Sequence, residues 1–335
     1  MKVLGIILVA IPLSCLAAII KVPENYVGKI DDDFTLECKS NGEQRDMRWF
    51  NNKVKMINTP NGVKDEFKNK YEIVKEGGRF DLIVKNPTIE DGGIYRCMDD
   101  SEDKEADAIL VTEPSYSSKP ERIIEKQNVT HTCESLIGSP EDISKYNIKM
   151  ELQLGGKVVH TETNIEKLSR VTNNQHRLKL VYSRNALFND KDVKCILSAY
   201  NPDFKISTNA TVDIKYGPRD MKIEPFSPNS DLYIGDVLNC TVDANPDADI
   251  KWKSWIPSKP NVAGRDLVLT RQHVGSNTYE CIAENQPSNV VESIKKRIEF
   301  TVLDRTRPVQ ASSSKIATNL FLLSSSLYFA KNLLF

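Results

Sequence analysis

The side chains that could do covalent or coordination chemistry are few, and most of them are cysteines: Cys15, Cys38, Cys97, Cys133, Cys195, Cys240 and Cys281. The four histidines, His131, His160, His176 and His273, are scattered along the chain with no ligand-like spacing. No glycine-rich phosphate loop, no His-Glu-x-x-His and no Gly-x-Ser-x-Gly occurs. Acidic runs such as Asp31-Asp32-Asp33 read as solvated turns. The expectation is a protein that is not an enzyme, with no catalytic residues, no metal and no cofactor. Disulfide chemistry remains for the cysteines, and count alone leaves many connectivities open.

The two ends bear on the redox compartment. Met1-Lys2 is followed by an apolar run and then Ser14-Cys15-Leu16-Ala17-Ala18. A basic start, a run too short to span a bilayer comfortably and small residues at its end predict a cleaved signal peptide over residues 1–18. Cys15 would leave with it, and an even set of six would enter an oxidising compartment. Residues 305–314 read as a polar stalk ending in small residues, with Ser312 and Ser313 as candidate lipid-attachment sites. The apolar tail over residues 315–335 is expected to be removed, as in a glycosylphosphatidylinositol signal. Polar residues such as Asn319 and Lys331 disfavour the rival reading, a spanning helix. A secreted protein is the other alternative.

What must position the six cysteines is a set of strands. Phe34-Thr35-Leu36-Glu37-Cys38 alternates with period two, placing Cys38 on the apolar face. Trp49 follows, and a later run ends in Asp91-Gly92-Gly93-Ile94-Tyr95-Arg96-Cys97. Gly93 suits the tight turn there. This set resembles the immunoglobulin superfamily. The resemblance implies a two-sheet sandwich over residues 19–114, a Cys38–Cys97 bridge packed on Trp49, Tyr95 as the tyrosine corner, and an Arg79–Asp91 ion pair. Residues 217–304 are similar: Cys240, Trp252 and the run Asn277-Thr278-Tyr279-Glu280-Cys281 imply a Cys240–Cys281 bridge, with Tyr279 again a corner. Gly275 and Asn277 stand where Asp and Gly are usual. Trp255 reads as a partly exposed loop residue.

Residues 115–216 resemble the family less. Cys133 and Cys195 are the implied pair, no tryptophan follows Cys133, Ile148 or Met150 must fill its space, and Val193 replaces the corner tyrosine. The whole is expected to be all-β, three tandem immunoglobulin-like sandwiches with one disulfide each. Joints are expected at Glu113–Pro120 and at Tyr216-Gly217-Pro218.

A formal net charge of −1, with 27% charged residues, gives no basic excess and no reason to expect nucleic acid. Sequons at Asn128, Asn209 and Asn239 could accept glycans. With Trp49, Tyr95 and Cys97 inward, period-two parity turns Arg48, Phe50, Ile94, Arg96 and Met98 outward. Asp99, Asp100 and Glu102 follow in an acidic loop. The resulting expectation is an adhesion or recognition molecule on the outer face of the plasma membrane, lipid-anchored, meeting a cell-surface or extracellular protein, possibly a second copy of itself. No small-molecule substrate is expected. A secreted or shed protein that sequesters an extracellular ligand is the alternative.

Overall fold

The computed structural model describes residues 18–41, 47–51, 55–99, 102–167, 175–200, 203–228 and 231–306. The expected signal segment before Ala18, Asp100, and the tail with Ser312 and Ser313 lie outside the described residues. The described chain is all-β apart from single turns of 3-10 helix. Three disulfides form in sequential order, Cys38–Cys97, Cys133–Cys195 and Cys240–Cys281, with Cα atoms 6.6, 5.8 and 6.6 Å apart.

In the first sandwich one sheet contains Ile19–Lys21, Phe34–Leu36, Lys39–Ser40, Tyr71–Glu76 and Arg79–Val84. The facing sheet contains Tyr26–Lys29, Arg48–Asn51, Lys55–Met56, Gly93–Met98 and Asp103–Val111. Alternation explains the core: Phe34 and Leu36 are buried around an exposed Thr35, as are Tyr95 and Cys97 around a half-buried Arg96.

The strand Asp103–Val111 departs from alternation. Every residue from Ala106 to Val111 is buried, which requires cover on both faces. Ala106, Ala108 and Leu110 pack in the first core, whereas Ile109 and Val111, with Val27 from the neighbouring strand, belong to the core of the second sandwich. Burying three such side chains contributes roughly 1.5–3 kcal/mol apiece. The backbone continues the union: Leu110 and Val111 pair with Gly138 and Ile137 of the strand Asn128–Gly138. One nine-stranded sheet therefore runs from the first sandwich into the second.

The expected joint at Glu113–Pro120 is consequently a strand. Ser115–Lys119 pairs antiparallel with residues 130–134, so no free linker separates the two sandwiches. Tyr216-Gly217-Pro218 falls in the strand Ile214–Glu224. By packing, the described chain forms two compact units. Among the described residues, the first reaches Pro218 and adds Ala244–Ala248 and Asn285–Glu292; the second comprises Arg219–Asp243, Asp249–Glu284 and residues 293–306.

Sheet register shows what stands in for the missing tryptophan. Trp49 lies opposite Cys97 and Trp252 opposite Cys281; the residue opposite Cys195 is Leu152. Ile148 and Met150 are buried in the same core, but neither holds that position. Both tryptophans donate their indole N–H to a backbone carbonyl, Trp49 to Phe80 at 2.8 Å and Trp252 to Arg265 at 3.1 Å.

Two expected contacts are replaced. Arg79 pairs with Asp81 at 2.5 Å, and the cation on Asp91 is Lys70 at 2.6 Å. Arg79 opens the strand Arg79–Val84 while Asp91 follows its far end. A strand of that length, about 16 Å at 3.3 Å per residue, holds them apart. In the second unit the Tyr279 hydroxyl donates to the Pro260 carbonyl at 2.9 Å rather than to a carbonyl a few residues upstream. Asn277, which stands where glycine is usual, holds that turn instead, donating to the carbonyls of His273 and Gly275 at 2.6 and 2.7 Å.

Candidate functional site

The paired strands Arg48–Asn51 and Gly93–Met98 place the candidate residues side by side. Arg96 lies opposite Phe50 and Met98 opposite Arg48. Trp49, Tyr95 and Cys97 are fully buried, and Arg48, Phe50, Ile94, Arg96 and Met98 are half-buried on the other side. The inward side is held rigidly. The Tyr95 hydroxyl donates to the Asp91 carbonyl at 2.9 Å, and the Asn51 amide reaches the hydroxyls of Tyr71 and Tyr95 at 2.9 and 3.2 Å. Burial pushes the Tyr95 hydroxyl well above the usual phenol range.

The outward face is less basic than two arginines suggest. Arg96 makes ion pairs with Glu105 at 2.7 Å and Asp103 at 3.2 Å, both on the adjacent strand. Its charge is met locally. The acidic loop also differs from a freely solvated one. Asp99 is buried at 4% exposure; its carboxylate accepts from the Glu102 backbone N–H at 2.9 Å, and its own N–H donates to the Glu102 carbonyl at 3.0 Å. Asp99 and Glu102 thus close a turn, while Asp103 and Glu105 present exposed carboxylates.

One border of this face is already occupied. Asp107 lies opposite Ile94 and is covered by the second sandwich: the Tyr146 hydroxyl donates to its carboxylate at 2.6 Å, and the Lys145 ammonium lies at 2.7 Å. Beyond Asp107, Ile109 and Val111 are packed under the same sandwich. The accessible part is therefore the end built by Arg48, Phe50, Arg96 and Met98. Sequence reasoning passed over this division, although the uninterrupted apolar run Ala108-Ile109-Leu110-Val111 signals a strand covered on both sides.

Of the sequons, Asn128 and Asn209 are exposed strand residues, whereas Asn239 is half-buried and donates to the Asp266 carboxylate. Trp255 is 49% exposed, with the Arg297 guanidinium 3.8 Å from its ring centre. Among the described residues, no three His, Cys, Asp or Glu side chains converge as metal ligands, and no helix is long and apolar enough to cross a membrane.

Residues 17–110 match the model of the immunoglobulin I-set domain. No curated protein matches the sequence. Among solved structures the chain is similar to the full three-domain ectodomain of mouse nectin-like molecule 4, with a TM-score of 0.52 and 16% identity, covering 86% of this chain and 100% of that one. It is also similar to the complex of Dpr2 Ig1–Ig2 with DIP-Theta Ig1–Ig3, with a TM-score of 0.39 and 16% identity over 86% of this chain and 100% of that one. For domains 1–5 of Sidekick-1 the TM-score is 0.31 and the identity 17%, over 86% of this chain and 59% of that one. At such identities the likeness is one of fold.

Proposed function

We propose that this member of the immunoglobulin superfamily is a cell-surface recognition protein that acts through protein–protein contacts, with the first sandwich carrying the contact surface. The observation that supports this reading is the half-buried cluster of Arg48, Phe50, Arg96 and Met98 on two paired strands. Phe, Met and Arg are enriched at protein interfaces. Exposed Asp103 and Glu105 border the same face, so a two-fold contact between copies would set Arg48 of each against the acidic edge of the other. In this reading residues 1–18 direct secretion, Ser312 or Ser313 receives a lipid anchor, and the chain stands on the outer face of the plasma membrane. A shed or secreted form that sequesters an extracellular ligand would use the same surface.

Beads coated with the ectodomain test the contact. Arg48→Glu together with Met98→Asp should abolish self-aggregation while leaving the melting temperature unchanged. Aggregation that persists in the double variant would remove this face as the contact. Phospholipase release from intact cells tests the anchor, and recovery of the protein entirely from the medium would favour the sequestering form.

A further inference from the structure

The first strand of the first sandwich is held by an unusual acceptor. Ile19 is 8% exposed and packs into the first core. Its backbone N–H donates to the Glu102 carboxylate, 83 residues along the chain. That carboxylate is 29% exposed, and its other oxygen lies 3.2 Å from the Lys104 ammonium. It is carried on the turn that Asp99 closes. A strand N–H ordinarily meets a backbone carbonyl. Here a charged side chain is aimed at the nitrogen of the residue directly after Ala17-Ala18, where small residues end the apolar run.

Resting on the reading in which residues 1–18 are removed, we propose that Glu102 is the seat of the α-ammonium group that cleavage leaves on Ile19. Hydrolysis adds water across the Ala18–Ile19 peptide bond: Ala18 departs with the new carboxylate, and Ile19 retains the nitrogen, protonated as the ammonium. Two bonds are lost, Ala18 N–H to Asn41 Oδ1 at 2.8 Å and Asn41 N–H to the Ala18 carbonyl at 3.1 Å. In their place the amide-to-carboxylate bond at Ile19, already assisted by the carboxylate charge, becomes an ion pair in which both partners are charged. Cleavage one bond earlier would set the ammonium on Ala18 against Asn41 Oδ1, a neutral acceptor. The site after Ala18 is the one that supplies a charge partner. Processing thereby ties the first strand to the turn that follows Met98, at the accessible end of the candidate recognition face.

Two measurements test this. Mass spectrometry of the amino-terminal peptide, on the full-length chain expressed in secretory cells, should give Ile19 as the first residue; Ala18 or any residue after Ile19 would overturn the assignment. The second is thermal melting of the mature protein from pH 7 to 9.5. An α-amino group ordinarily titrates near 7.7–8.0, and an ion pair with Glu102 raises that value in the folded state. The stability it adds is then complete below the ordinary value and is lost as pH rises through the raised one. The wild-type melting temperature should fall across this range towards that of Glu102→Gln, which should itself change little. Parallel curves for the two proteins would show that no ammonium sits on Glu102.

Discussion

Gly92 and Gly138 meet backbone to backbone where the first two sandwiches join, and neither position has room for a side chain. A Cβ on Gly92 would fall 2.2 Å from the Gly138 carbonyl carbon, and one on Gly138 would fall 1.8 Å from the Ile89 carbonyl oxygen. The obstructing atoms are backbone, so relief requires the sandwiches to move apart. Gly93, the neighbour in the same motif, serves a different need, since its φ of 150° suits glycine. Gly92→Ala and Gly138→Ala should each destabilise the molecule by about 1–3 kcal/mol or more, read as a lower urea midpoint. Each should also raise proteolytic cleavage near Glu113-Pro114. A wild-type midpoint in both variants would mean that the junction yields without cost.

How much of this was legible in the sequence differed by region for physical reasons. Trp49, Tyr95 and Cys97 lie on strands whose other side is only half-buried, so alternation revealed their orientation. The same held for Trp252 and Cys281. Leu152 was hidden because an aliphatic residue opposite Cys195 looks like any other core position and only register identifies it. The junction left little local trace. Gly138 pairs with Leu110, and Tyr146 bonds Asp107 across 39 residues of chain; neither contact has a spacing that a motif could carry. Arg79 was misassigned because several cations, Lys70 and Arg79 among them, lie before Asp91, and motif spacing does not show which end of the sandwich each occupies.

Tyr146 and Asp107 make the polar fastening of the junction. Asp107 is 8% exposed. Burial, followed by the bond to the Asp107 carboxylate, holds the Tyr146 hydroxyl far above the usual phenol range, so it donates at all relevant pH values. Tyr146→Phe keeps the ring in its core and removes only this bond. A hydrogen bond to a charged group is worth about 1.5–3 kcal/mol, and a loss of that size in urea unfolding is expected. Lys145 has a 55% exposed side chain, so Lys145→Met should cost about 1 kcal/mol or less. A larger loss in Lys145→Met than in Tyr146→Phe would mean that the ammonium, rather than the hydroxyl, carries the fastening.

The exchange of ion-pair partners at Asp91 can be measured by double-mutant cycles. Lys70 reaches Asp91 at 2.6 Å with 27% and 13% of their side chains exposed. Asp91 also accepts from the Thr88 N–H at 2.7 Å, which orients it. Lys70→Met and Asp91→Asn should show a coupling of about 0.5–1 kcal/mol. Arg79→Met and Asp91→Asn should add within about 0.3–0.5 kcal/mol, as expected for separated sites. The reverse pattern of couplings would restore the Arg79–Asp91 pair.

Buried His131 and His273 are expected to make the fold sensitive to acid. His131 and His273 are each 2% exposed. Burial lowers the pKa of His131; Arg184 adds to the effect and Asp190 opposes it. Burial also lowers that of His273, with Lys259 adding to it. Each ring nitrogen Nδ1 already has a partner, the Tyr116 hydroxyl at 2.9 Å for His131 and the Thr270 N–H at 2.9 Å for His273. Because that Thr270 N–H donates, Nδ1 of His273 must stay unprotonated. In the unfolded chain both rings take up a proton near the ordinary value of about 6.5; in the folded protein they resist until lower pH. The unfolded state therefore binds more protons below about 6.5, and stability falls as pH drops through that window. Urea midpoints measured between pH 7.5 and 5 should decline, and His131→Gln should remove part of the slope while lowering stability at pH 7.5. A slope identical to wild type in His131→Gln would show that this ring binds its proton equally in the folded and unfolded states and takes no part in the acid response.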